Sequence, residues 1–201
     1  MNPESLFGTE PCPFVQIYDE GRVITIPGLL DDAQCTALKA WTARHEWETE
    51  APITTAQGFV AAPNVRNNAR LIVDEEAWAN QLWLRLGPVF AELLPGVPGI
   101  GINERFRFYR YGPGQYFRDH YDGSYRRPGT NEESMFTLMI YLSEVEKGWL
   151  TRFHDAEVAV TPEPGLACAF LHRQLHEGEE VLQGEKWVLR TDVMFDLTSI
   201  R

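Results

Sequence analysis

The stretch GQYFRDHYDGSYRRPG, residues 114–129, contains His120-Tyr121-Asp122, an imidazole and a carboxylate two positions apart. Residues i and i+2 of a β-strand project from the same face, so both side chains would reach one side of a sheet, as a pair of metal ligands requires. The spacing alone is weak: the histidines and aspartates of a chain this long give roughly 0.2 such pairs by chance. Asp122-Gly123 is also a good turn dipeptide. The rest of the chain has to decide.

What surrounds the pair is β-like. Short alternating or apolar runs at 104–111, 115–121, 135–142, 149–153, 157–160, 166–171 and 186–195 are separated by turn residues, a texture of β-sandwiches and barrels rather than of βαβ units. Ahead of them, Arg22–Ile26 alternates and is β-branched, a strand ended by Pro27-Gly28. Asp31-Asp32 followed by Cys35, Leu38 and Trp41 predicts a capped helix over about 31–45. Trp78, Leu82, Leu86 and Phe90 predict a second helix, with Asp74 as its N-cap and Leu94-Pro95-Gly96 as its stop. The expected class is α+β, mainly β. One domain would fill 1–201, with a strand and supporting helices in 1–100 and the β core in 101–198.

A formal net charge of −11 disfavours nucleic acid and anionic membrane as partners, since phosphates attract basic surfaces. Cys12, Cys35 and Cys168 are too few and too far apart for a disulfide framework or a zinc ribbon. The first residues lack a signal-peptide pattern, and no run of eighteen apolar residues occurs. A soluble, cytoplasmic protein is expected.

His120 and Asp122 need a third ligand. His172 and His176 are the candidates, because His154 lies in the turn-like FHDAE and His45 ends a helix. Two histidines and a carboxylate form the facial triad of non-haem Fe(II) oxygenases, although zinc accepts the same donors. Ten residues after His176, Lys186 opens a segment in which Lys186, Val188, Arg190 and Asp192 share one face. A basic side chain inside an apolar β core calls for an anion, and a dicarboxylate would supply one.

The ordered set Tyr111-Gly-x-Gly, His120-x-Asp122, Ser134-x-x-Thr137-x-x-x-Tyr141-Leu142, Gly148-x-x-Thr151-x-Phe153, Pro164-Gly165, His176-Glu177-Gly178 and Gly184-x-Lys186-Trp187 resembles the 2-oxoglutarate- and Fe(II)-dependent dioxygenases of the prolyl 4-hydroxylase type. It covers residues 105–196. The resemblance implies a double-stranded β-helix (jelly-roll, cupin-like) core behind N-terminal supporting helices. It assigns Fe(II) to His120, Asp122 and His176, favouring His176 over His172 because of the offset to Lys186. It places Lys186 on the distal carboxylate of 2-oxoglutarate with Arg190 as rival or helper, Tyr141 on the same carboxylate, and Tyr111 and Thr151 on the pocket wall. The implied activity is hydroxylation of an aliphatic C–H in a prolyl or other residue of a protein or peptide, or in a small molecule, with O2 consumed and succinate and CO2 released; ascorbate is a candidate auxiliary reductant.

The chain departs from the family at Gly148-Trp149, where Gly-Gly is usual, and at Phe117, three residues before the first histidine, where many relatives have tyrosine. Residues expected towards the substrate are Arg118, Arg126 and Arg127 in and beside the polar loop, Trp149, His172, and Arg66 and Arg70 of the NVRNNAR segment. The rival readings are a cupin-like barrel that binds a metal or small molecule without turnover, and an oxidative demethylase of nucleic acid, which the acidic charge disfavours.

Overall fold

The computed structural model describes residues 6–200 except 9, 11, 13, 56, 57 and 92. An antiparallel eight-stranded sheet has the order Gln16–Tyr18, Val23–Ile26, Ala167–Leu171, Glu132–Tyr141, Lys186–Asp196, Arg105–Tyr111, Ala69–Asp74, with Gly99–Ile102 pairing the far half of Lys186–Asp196. Facing it is a smaller sheet in the order Val158–Val160, Thr151–Phe153, His176–Gly178, Phe117–His120. The Lys147–Gly148 and Val181–Gln183 strands form a further pair, as do Ile53–Thr55 and Gly58–Val60. Consecutive strands repeatedly lie in opposite sheets, the winding of a double-stranded β-helix.

The period-2 alternation of the strands splits the buried side chains into two cores. Phe106, Phe108, Leu138, Ile140, Ala167, Ala169 and Leu189 point to the outer face of the large sheet, where they meet the helices. Their neighbours Tyr109, Tyr111, Tyr141, Cys168, Phe170 and Val188 point inward, between the sheets. Covered on both faces, these strands read as near-continuous apolar runs.

Helix α1, Asp32–Trp41, starts at Asp31 in a capping box: Gln34 N–H donates to Asp31 Oδ1 at 2.7 Å, and Asp31 N–H to Gln34 Oε1 at 2.8 Å. Helix α2, Glu76–Phe90, lays Trp78, Leu82, Leu86 and Phe90 on the outer core, as their spacing predicts. Asp74 is not its N-cap. Glu75 holds that position without a side-chain hydrogen bond, while Asp74 ends the Ala69–Asp74 strand opposite Arg105, which it pairs at 2.8 and 2.9 Å. A carboxylate before an apolar run suits a cap and a cross-strand ion pair equally, and the register chose the second. All seven β runs of the sequence reading are strands; Ala69–Asp74, Gly99–Ile102 and the three-residue His176–Gly178 are strands it did not contain. No described helix is long and apolar enough to cross a membrane.

Candidate active site

Two short strands of the small sheet put three donor groups together. His120 ends Phe117–His120, His176 begins His176–Gly178, and the two histidines are register partners. Asp122 lies just beyond, its N–H held by His172 O at 3.0 Å. His120 Nε2 is 3.8 Å from Asp122 Oδ1, and His176 Nε2 is 3.9 Å from Asp122 Oδ2. One ligand atom from each residue lies within 4.8 Å of the others.

The protonation states suit a cation. His120 Nδ1 lies 2.8 Å from Arg118 O and His176 Nδ1 lies 2.9 Å from Gln174 O. A carbonyl only accepts, so each Nδ1 carries the hydrogen and each Nε2 presents its lone pair to the cluster. Burial, helped by the neighbouring His176, pushes the His120 pKa down to about 3, and burial lowers that of His176 too. Burial alone would raise Asp122, but Arg190 and the two imidazoles outweigh it and hold the carboxyl ionised, well below the usual range. Two neutral imidazoles and a carboxylate are the donors that a divalent iron site takes.

A second layer orients Asp122. Thr137 O–H donates to Asp122 Oδ2 at 2.6 Å, and His172 Nδ1 lies 3.1 Å from Thr137 Oγ1 with its Nε2 2.9 Å from Ser134 Oγ. His172 is thus hydrogen-bonded at both ring nitrogens behind the carboxylate, away from the three-residue cluster. Arg190 Nη2 lies 3.2 Å from Asp122 Oδ1 and 3.4 Å from Asp192 Oδ1.

From this cluster a cavity runs between the sheets past Tyr109, Tyr111, Phe117, Met139, Thr151 and Val188 to Lys186. Lys186 is 4% exposed, and Nζ donates to Trp149 O at 2.9 Å and to Thr151 Oγ1 at 3.2 Å. No carboxylate among the described residues lies within ion-pair distance of it, and burial pushes its pKa down to about 7. Tyr141 O–H donates to the same Thr151 Oγ1 at 2.8 Å. With both lone pairs of Thr151 so occupied, its own hydroxyl hydrogen is left for a third acceptor. Lys186 and Thr151 together present the donors that suit an anion.

Trp149 has φ +102° directly after Gly148 at φ +80°, and its indole Nε1 is buried without a hydrogen-bond partner among the described residues. A glycine would adopt that backbone freely; here a tryptophan holds it and aims its carbonyl at Lys186. Arg118 stacks on Tyr116 at 3.9 Å, outside the cavity. Arg127 forms a bidentate pair with Glu104 at 2.8 and 3.0 Å and meets Glu132 at 2.8 Å, and exposed Arg126 bridges Glu133 through its backbone. The DGSYRRPG segment is therefore pinned as a hairpin. Arg66 and Arg70 do line the groove above His120. Tyr109, Thr137 and Asp192 are site residues that the sequence reading gave no role; Tyr109 and Asp192 were legible only as the alternation partners of Tyr111 and Arg190.

Residues 106–191 match the model of the 2OG-Fe(II) oxygenase superfamily. None of the curated proteins matches the chain. Among solved structures it is similar to the viral collagen prolyl hydroxylase of Paramecium Bursaria Chlorella virus-1 in its 2OG complex, at 20% identity and TM-score 0.64 over 89% of this chain and 99% of that one. A Pseudomonas putida prolyl-4-hydroxylase gives 21% and 0.62 over 86% and 92%. A Trichoplax adhaerens prolyl hydroxylase in complex with a hypoxia inducible factor peptide fragment gives 15% and 0.60 over 89% and 85%. At these identities the likeness is one of fold.

Proposed function

From the match of residues 106–191 to the 2OG-Fe(II) oxygenase superfamily we propose that this chain belongs to that superfamily and hydroxylates an aliphatic C–H with Fe(II), O2 and 2-oxoglutarate, releasing succinate and CO2. The observation that carries the proposal is the pairing of the two ends of one cavity: ligand atoms of His120, Asp122 and His176 at one, and at the other Lys186, a buried amine that no carboxylate of the described residues pairs.

In this reading His120 Nε2, Asp122 and His176 Nε2 would hold the iron, which would supply the oxidising chemistry. The protein's own part is positioning and electrostatics. Arg118 O and Gln174 O fix the ring orientations through the Nδ1 hydrogens. Thr137 and Arg190 keep Asp122 ionised and aimed. Lys186 Nζ and the Thr151 hydroxyl bind the distal carboxylate of 2-oxoglutarate, Tyr141 fixes the Thr151 rotor, and Tyr111, Met139 and Val188 keep water from the chain between the carboxylates. Arg190 acts on Asp122 in this account, not on 2-oxoglutarate. The substrate is a residue of a protein or peptide, as in the peptide-bound Trichoplax adhaerens enzyme, or a small molecule, and it approaches along the groove above His120.

The test is succinate formation from 2-oxoglutarate in air with Fe(II), which proceeds slowly even without substrate in this reading. No succinate above the level of a His176→Ala variant would remove the proposal.

A further inference from the structure

The groove above His120 is lined by five arginines, Arg66, Arg70, Arg105, Arg107 and Arg190, in a chain whose formal net charge is −11. Four of them are ion-paired: Arg70 with Glu48 at 2.7 Å, Arg105 with Asp74 at 2.8 Å, Arg107 with Asp192 at 3.3 Å and Arg190 with Asp122 at 3.2 Å. Arg66 differs. Among the described residues no carboxylate lies within ion-pair distance of it, and one terminal guanidinium nitrogen, Nη2, is buried with no hydrogen-bond partner.

Its position is nonetheless fixed on every other side. Arg66 is 4% exposed; Nε donates to Asn68 Oδ1 at 2.7 Å, and the fully buried Asn68 amide donates in turn to Ala69 O at 2.7 Å. The guanidinium lies 4.3 Å over the Tyr109 ring and 4.5 Å over the Phe117 ring. The backbone of Arg66 bridges Phe117, and Val65 O accepts from Arg118 N–H at 2.9 Å, so the segment rides on the strand that carries His120. Phe117 also stacks on the His120 ring at 3.5 Å between centroids. One aromatic ring, Phe117, therefore separates Arg66 from His120 of the candidate ligand cluster.

A rigidly held guanidinium with a vacant donor and no counter-charge is costly in the free protein, and an anion offering a planar pair of oxygens relieves the cost. The neighbouring phenol feels the guanidinium: although burial alone would raise Tyr109, Arg190, Arg66 and Arg107 bring its pKa down to about 8. We propose that Arg66 recognises a carboxylate on the substrate, so that this enzyme acts on a carboxylate-bearing molecule held with that group beside Phe117 and its reacting carbon over the metal. The inference rests on the oxygenase reading of the site. The same chemistry is offered by a small free acid and by an acidic side chain of a peptide, and the test separates them.

Protein loaded with Zn(II) in place of iron, with and without 2-oxoglutarate, is titrated by calorimetry with L-proline, L-leucine and pentanoate, each beside its primary amide, and with a pentapeptide having a central Glu beside its Gln counterpart. Wild type, Arg66→Gln and Arg66→Lys are compared, with melting curves as a check on folding. At least one acid should bind ten-fold or more tightly than its amide; the preference should vanish in Arg66→Gln, shrink in Arg66→Lys, and leave the 2-oxoglutarate affinity within threefold of wild type. Binding by the free acids points to a small substrate, and binding by the Glu peptide alone to an acidic segment of a chain. The inference is overturned if no acid binds, if acid and amide bind alike, if the preference survives Arg66→Gln, or if both variants lose 2-oxoglutarate in parallel. Failure of wild type to bind 2-oxoglutarate instead removes the oxygenase reading, while the acid preference is still read from the titrations without cosubstrate.

Discussion

Arg190 Nη2 lies 3.2 Å from Asp122 Oδ1, while Lys186, four residues earlier on the same face, has no carboxylate partner among the described residues. The two basic residues look interchangeable in the sequence, but in the structure one has its counter-charge and the other lacks it. Their replacements should separate. Lys186→Met should weaken 2-oxoglutarate binding by about 3 kcal/mol, roughly a hundredfold, with little change in metal affinity. Arg190→Met should do the reverse. Calorimetric titration of each variant with metal and then with 2-oxoglutarate reads both, and a larger loss of 2-oxoglutarate affinity in Arg190→Met would reverse the roles.

Lys186 also predicts a pH dependence. Its pKa of about 7 in the free protein, down from 10.5, means that above pH 7 the amine is largely neutral. Pairing with a carboxylate restores the charge, so binding takes up a proton and the 2-oxoglutarate affinity falls about tenfold per pH unit from 7 upward. Proton uptake measured in buffers of different ionisation enthalpy at pH 8 should approach one in wild type and zero in Lys186→Met. The sign for folding is the opposite of a salt-bridged lysine: between pH 7 and 10.5 the unfolded chain binds more protons, so the free protein gains stability as pH rises through that window.

The chain from Ser134 through His172 and Thr137 to Asp122 makes His172 a support of the carboxylate. Thr137→Val removes the 2.6 Å bond to Asp122 and should weaken metal binding by about 10- to 100-fold. His172→Gln should fall within the same range, whereas His176→Ala should abolish binding at micromolar metal. Chelator competition measures all three, and metal binding lost equally in His172→Gln and His176→Ala would contradict the arrangement.

Trp149 sits at φ +102°, where an L side chain is strained. Trp149→Ala and Trp149→Gly lose the same indole, but only glycine relieves the backbone. The glycine variant should be the more stable of the two by about 1 kcal/mol, read from denaturant midpoints. A more stable alanine variant would show that the backbone conformation carries no strain.

What the sequence disclosed followed from period. Eight strands, Val23–Ile26 and the seven of the β half, were legible because turn residues bracket short apolar or alternating runs, and His120 with Asp122 because a spacing of two defines a face. His176–Gly178 was not legible as a strand, since three residues carry no pattern and it exists only by pairing with Phe117–His120 and Thr151–Phe153. The partners of Asp122 were hidden for a related reason. Thr137 and Arg190 lie on different strands and His172 in the turn just past the end of a third, and only the register across the large sheet brings them to one carboxylate. Asp74 misled because an acid ahead of a helix is locally a cap, and nothing local announces Arg105 across the sheet. Arg126 and Arg127 were expected towards the substrate, but the Glu104 and Glu132 carboxylates that fix Arg127 lie outside any local pattern.

The most direct test of the central claim is anaerobic addition of 2-oxoglutarate to the Fe(II)-loaded protein, followed in the visible spectrum. Chelation of the metal by the keto acid, with its distal carboxylate on Lys186, should give a metal-to-ligand charge-transfer band that saturates at one equivalent, is absent from His120→Ala, and needs far more 2-oxoglutarate in Lys186→Met. No band in the wild type, or a band that persists unchanged in His120→Ala, would contradict the account.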